Sequence, residues 1–134
     1  VKVVIDTNVL ISGLLSPYGP PGEIVQMISS GTLSLCFDSR IISEYSQVMR
    51  RPKFSFRADE IDALLEQIQS NGRVIASEPL PHHLKDPHDE AFLEVAVAGK
   101  VERLVTGNLK HYPSSFRHIK VVSPKSFLEY YRKQ

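Results

Sequence analysis

The sequence predicts an α/β domain built on a mainly parallel sheet. Three observations predict it: short runs of β-branched residues that break off at polar residues, segments of helical period between them, and capping signals at the joints. At 134 residues the chain has the length of one domain with one core, so a single unit spanning 1–134 is expected.

Residues 1–5, Val-Lys-Val-Val-Ile, form the first run and stop at Asp6-Thr7-Asn8, which reads as a buried strand. A turn-rich loop from Ser16 to Gly22 leads into a short helix with Ile24, Val25 and Ile28 on one face, closed by Gly31. Residues 33–37 read as the second strand. Asp38 or Ser39 then caps a helix that runs to about Arg51 and is ended by Pro52. A second amphipathic helix over 58–70 carries Ile61, Leu64, Leu65 and Ile68 and stops near Asn71-Gly72. Residues 73–76 supply a third strand, followed by a polar loop containing prolines. Asp86-Pro87 opens a helix ending at Gly99, with Asp as the cap and Pro in the first helical position. Residues 103–106 and 119–122 are two more strands, and 124–131 a last helix.

Composition narrows the class of protein. Hydrophobic residues at 42% and charged residues at 23% are ordinary for a globular chain, and no apolar run reaches the roughly 18 residues of a membrane span. An acid at position 6 argues against a signal peptide, and a lone Cys36 excludes a disulfide framework within the chain, so a cytoplasmic location is expected. The net charge of +1, from 16 Lys and Arg against 15 Asp and Glu, does not announce a nucleic-acid binder. Local patterns say more. Residues 50–57, Arg-Arg-Pro-Lys-Phe-Ser-Phe-Arg, are basic with interleaved Phe, and residues 82–90 mix acids with imidazoles.

Three carboxylates stand out by position. Asp6 is the first polar residue after the first strand, at the edge where open parallel sheets bind ligands; it also suits a hydrogen bond to the turn that follows. At about 100° per residue, the helix near position 44 gathers Ile41, Ile42, Tyr45, Val48 and Met49, and Glu44 borders that arc. A boundary Glu with its head in water explains it equally. Asp89 falls between Phe92, Leu93 and Ala96 on the apolar side of its helix, whereas Glu90 and Glu94 lie toward the polar side. A carboxylate on a buried face costs several kcal/mol unless a helix N-terminus, a capping partner or a divalent cation compensates it. Asp86 reads first as the helix cap. Converging carboxylates would repel and take up protons. Magnesium or manganese resolves that conflict and suits phosphodiester hydrolysis by activating water and screening phosphate charge.

Taken in order, Val-Val-Ile-Asp6-Thr7-Asn8-Val-Leu, Ser-Glu44-Tyr, Asp86-Pro-His-Asp89-Glu and Leu-Val-Thr106-Gly107-Asn108 resemble a PIN domain across nearly the whole chain. The similarity is greatest to the branch assigned as toxins of toxin–antitoxin pairs. The resemblance implies a sheet of order 3-2-1-4-5 flanked by helices in three layers, and a Mg2+- or Mn2+-dependent ribonuclease. Asp6, Glu44 and Asp89 match its principal acids. Its fourth acid is missing: Asn108 takes that place, with His111 nearby, which favours one tightly held metal over two. Thr7, Asn8, Asp86 and Thr106 are supporting groups.

Other features remain open. Lys110 and His111, beside Asn108, are candidate phosphate contacts. Arg50, Arg51 and Lys53 could hold an RNA backbone while Phe54 or Phe56 stacks on a base, or simply end a helix and anchor the next. His82, His83 and His88 with Asp86 and Asp89 match no closed zinc motif and read as a polar loop. Ile11, Leu14, Leu15, Pro17 and Tyr18 form either core or a surface for a second copy or an antitoxin. The expected function is an endoribonuclease, probed against an inactive PIN-like module that binds RNA or protein. A phosphoryl-transfer protein with Asp6 as nucleophile fits less well, since Asn8 stands where a second Asp is needed.

Overall fold

A computed structural model of the chain describes residues 2–81 and 84–134. Its six strands are β1 (Lys2–Ile5), β2 (Ser34–Phe37), β3 (Arg73–Val74), β4 (Arg103–Val105), β5 (Ser115–Phe116) and β6 (Ile119–Val122). The helices are α1 (Thr7–Leu15), α2 (Pro20–Ser29), α3 (Ser39–Met49), α4 (Ala58–Asn71), α5 (Pro87–Ala98) and α6 (Pro124–Arg132). The sheet runs β3-β2-β1-β4-β6-β5, parallel throughout except for the β5–β6 edge pair. This is the expected 3-2-1-4-5 order with one antiparallel strand added at the rim. The addition was not expected because Ser115–Phe116 is too short to carry an alternating pattern.

Strand order reverses at the centre. From β1 the chain steps outward through β2 to β3, then returns to the other side of β1 to lay down β4. The pairs Val4–Leu104 and Ile5–Val105 fix the register there. The ladder continues one residue further, with the Asp6 amide donating to the Val105 carbonyl at 2.8 Å and the Thr106 amide to Val122 at 3.0 Å. Asp6 and Thr106 therefore leave the carboxyl ends of neighbouring strands side by side, at the switch point where such sheets bind ligands.

The core follows the sequence pattern. Val3, Val4 and Ile5, Leu35 and Cys36, and Leu104 and Val105 are buried, as are Ile41, Tyr45, Met49, Phe92, Leu93 and Ala96 from α3 and α5. α5 packs on β1, β2 and β4, and α3 touches both α1 and α5. Gly31, at φ 81, lets the chain turn back after α2 so that the Thr32 amide reaches the Met27 carbonyl at 2.9 Å. α1 has little periodic signature because Thr7–Leu15 is mostly apolar and short, with only Asn8 and the exposed Ser12 marking its polar side. A β-carbon on its Gly13 would stand 2.5 Å from the Pro21 carbonyl oxygen, which is how closely α1 and α2 pack.

Two expectations are corrected. The third strand is only two residues long, and both are exposed. Glu94 does not face water: it is 7% exposed, accepting from Arg40 Nη1 at 2.8 Å and from the Leu80 amide at 3.4 Å. Arg40 also holds Asp38 at 2.7 Å and Ser77 at 3.0 Å. The extended segment before α5 is laid over the outer face of that helix, burying a carboxylate that the helix alone would expose. Replacing Glu94 by Ala leaves a half-exposed Arg40 and an unpaired Leu80 amide. Urea unfolding should show a loss of about 1–2 kcal/mol, where a surface Glu would cost under about 0.5 kcal/mol.

Candidate active site

The end of β1 and the start of α1 place Asp6 at the floor of a cleft of about 290 Å³, also lined by Thr7, Asn8, Glu44, Phe54, Asp86, Asp89, Asn108 and His111. Asp6 occupies the cap position of α1 but forms no capping bond with its side chain. Instead its Oδ2 accepts from the Thr106 hydroxyl at 2.8 Å, the Tyr112 hydroxyl at 3.1 Å and the Asn8 amide at 3.3 Å. Its carboxylate also accepts from the Thr7 backbone, so the turn contact expected of Asp6 is present beside these side-chain bonds. Asn8 is held in turn by the Gly107 amide, which donates to its Oδ1 at 2.9 Å, and the Asn108 amide donates to Thr106 Oγ1 at 3.0 Å. The backbone after β4 thus braces the residues after β1.

α5 presents Asp89 to the same cleft from its first turn, and the residue is 7% exposed. Its Oδ2 is buried with no hydrogen bond, although His111 Nδ1 stands 3.2 Å away. Asp86 caps α5 by accepting from the His88 amide at 3.0 Å and also lines the cleft, so the capping role is real and does not remove its charge from the site. Glu44 enters from α3. It is half-buried, as a boundary position should be, and the Thr7 hydroxyl donates to its Oε2. The ring of His88 lies 3.6 Å from its other oxygen.

These surroundings shift proton affinities in one direction. Burial raises the Asp6 carboxyl above its ordinary value, against the opposing pull of the Thr106 and Tyr112 hydrogen bonds. Burial, then the negative charges of Asp6 and Asp86, push Asp89 up to about 6. Tyr112 is pushed far up by burial and the two carboxylates, so its hydroxyl stays protonated and acts as a donor between Asp6 and Asp89. The donors suit a hard divalent cation in kind: carboxylate oxygens, one of them buried and unpartnered. Among the described residues, however, no three His, Cys, Asp or Glu side chains stand close enough together to hold a metal ion, so the carboxylate arrangement is open.

A larger groove of about 540 Å³ continues from this cleft between α3 and α5, sharing Glu44, Val48, Asp86 and Asp89 and adding Arg40, Gln47, Arg51 and His88. It divides the expected RNA contacts. Arg51 lines the groove and has no ion-pair partner among the described residues. Arg50 turns away, donating to Ser46 on its own helix α3 and to Asp62 on α4, and does not line either cavity. Lys53 lies over the Phe54 ring, 5.1 Å from its centroid, and Phe54 and Phe56 stack on each other at 5.5 Å. Those rings anchor the turn into α4, and Phe54 also reaches the cleft. Lys110 is exposed beside the cleft without lining it. His82 and His83 lie outside the described residues, so the imidazole cluster is represented by His88 alone. Tyr112 was missed by sequence reasoning; an aromatic in a loop between strands carries no periodic signal of its role.

Comparison with known proteins agrees with this architecture. An uncharacterized protein of Methanocaldococcus jannaschii is 29% identical, across 99% of this chain and 93% of the relative. The family model described as PIN domain matches residues 2–110, which include Asp6, Glu44, Asp89 and Thr106. With the switch-point cleft and its acids already in view, that match over most of the chain makes it a member of the PIN-domain family.

Proposed function

We propose that this chain is a Mg2+- or Mn2+-dependent endoribonuclease that hydrolyses RNA phosphodiester bonds. PIN domains are generally nucleases, and the observation that carries the finer reading is the buried, unpartnered Oδ2 of Asp89 facing a cleft that also holds Asp6. Asp6 and Asp89 would hold the cation, with Glu44 at the rim. When bound, the ion would activate water and neutralise charge on the phosphate. The protein's own part is positioning. Tyr112, Thr106 and Asn8 fix the Asp6 carboxylate, and the Thr7 hydroxyl fixes Glu44. Arg51, lining the groove, would offer a cation to the RNA backbone, with His111 on the cleft and the exposed Lys110 beside it as further phosphate contacts.

The reading extends to a toxin held in check by a protein antitoxin, acting in the cytoplasm, and to a homodimer. What supports a partner surface is the exposure of Leu15 and of Tyr18, the latter 93% exposed, next to buried Ile11. No helix among the described residues is long and apolar enough to cross a membrane. A second reading, a catalytically weak module that binds RNA or protein, is favoured by Asn108 in place of a further acid and by the open carboxylate arrangement.

Purified protein should cleave RNA only with Mg2+ or Mn2+ present. Asp6→Asn and Asp89→Asn should each lower the rate by about 10²-fold or more, the several kcal/mol that a lost metal site removes. Cleavage that survives both changes contradicts the site, and no cleavage of any RNA in Mn2+ favours the binding module. Arg51→Ala should raise KM by roughly tenfold and reduce the salt slope by about one phosphate contact. Arg50→Ala should leave KM alone and cost at most a surface ion pair.

The raised Asp89 pKa fixes a pH dependence. In metal-free protein the proton on Asp89 favours folding, fully below the ordinary value of 3.8, and that contribution is lost as pH rises through about 6. Urea unfolding in a chelator should therefore show Asp89→Asn gaining stability relative to the native chain across this window. Metal binding has the opposite sign and should weaken as pH falls below about 6, because the ion must displace that proton. An unchanged stability difference between pH 4 and 7 would contradict the assignment.

A further inference from the structure

The basic, aromatic stretch after α3 is only partly explained by ion pairs. Arg50 and Arg57 are held by acids of α4, Asp62 and Asp59. The two phenylalanines between them are half-buried, with rings 5.5 Å apart and 13° from parallel. Their turn closes through two bonds of 3.1 Å, from the Phe54 amide to the Arg51 carbonyl and from the Ser55 amide to Pro52. Ser55 takes φ 56 to do so, a region that suits glycine and strains a serine. The backbone thus fixes where the rings stand, and of the two only Phe54 lines the cleft. That cleft is divided in character. Thr7 and Glu44 belong to its polar part, and one helical turn beyond each, about 5.4 Å, stand Ile11 on α1 and Val48 on α3. With Phe54, these two make up the apolar part of the lining.

We propose that Phe54, backed by Phe56, is a stacking platform for one nucleobase of the RNA, next to the phosphodiester that lies at the acids. This rests on the reading of the cleft as the RNA site. A nucleotide presents the same juxtaposition: a charged phosphate and, one sugar away, a ring with apolar faces. Every base has such a face, so a platform of this kind accepts any of them. An apolar side chain of a protein partner could fill the same space, but the charges around it favour a phosphate chain. Arg51 lines the adjoining groove, and Lys53 Nζ stands 5.1 Å from the centroid of the Phe54 ring. An arriving base would take the place of that ammonium group on the ring and leave it free for a neighbouring phosphate.

Short single-stranded RNAs, each with a fluorescent adenine analogue at a different position, test this when titrated with the full chain in a chelator. Stacking quenches the analogue, so the readout does not require cleavage. One position should be quenched on binding, and an RNA lacking the base there should bind about tenfold more weakly, within the range that stacking of one base supplies. Phe54→Leu keeps the apolar bulk of the turn and removes the flat face. It should leave the urea midpoint nearly unchanged and lose both the quenching and the preference, whereas Phe54→Tyr should keep both. Equal binding of the two RNAs by the native chain, or a Phe54→Leu chain that still quenches and discriminates, overturns the proposal. So does Phe54→Leu weakening self-association with RNA binding unaltered, which assigns the face to a second copy. Cleavage in Mn2+, measured alongside, judges the nuclease reading separately. Cleavage with no base preference sinks the platform alone, and base preference with no cleavage keeps the platform on a binding module.

Discussion

Holding Asp6 and Asp89, both nearly buried, at one cleft is the constraint on which the rest of the molecule depends. Two carboxylates with raised proton affinity in one pocket are costly, and nothing in the apolar core gains from them. Their placement follows from backbone that cannot easily move. Asp6 is fixed by the last hydrogen bond between β1 and β4, and Asp89 by a capped first turn of α5 packed on β1, β2 and β4. A sheet so arranged cannot relax the repulsion by separating the two groups. Stability given up at such a point is the usual companion of function.

Supporting contacts around the cleft divide into two kinds. Thr106, Tyr112 and Asn8 donate to Asp6, stabilising its ionised form, while Asp89 has the Tyr112 hydroxyl and the His111 ring beside it and an Oδ2 that makes no hydrogen bond. The two acids are thus unequal: Asp6 has three side-chain donors, whereas one oxygen of Asp89 stays buried without a hydrogen bond. Farther out, Arg40 joins Asp38 at the start of α3 to Glu94 on α5, so the two helices that carry Glu44 and Asp89 are tied by a charge pair about one turn from each. That tie sets the spacing of the groove walls without entering the cleft.

Much of this was legible in the sequence, and the reasons are specific. Asp6 was visible because a buried strand must end where a charge begins. Asp89 was visible because its helical angle falls among Phe92, Leu93 and Ala96, all buried. Glu44 read as a boundary position and is one. The same arithmetic misplaced Glu94, because a helical wheel describes one helix and cannot know that residues 77–80 will cross over it. α1 escaped notice because its polar side is only Asn8 and Ser12 in a nine-residue helix, and β5 because two residues have no period. Arg50 and Arg51 were indistinguishable in sequence. The chain leaves α3 at Arg50 and is extended at Arg51, which sends the first to Asp62 on α4 and leaves the second on the groove.

The central claim is that Asp6 and Asp89 share a cation. Anomalous diffraction from a crystal soaked in Mn2+ tests it most directly. The account predicts a single strong peak within about 2.0–2.6 Å of carboxylate oxygens from both residues. Mn2+ located elsewhere, or reaching one of these acids with the other turned away from it, would contradict it.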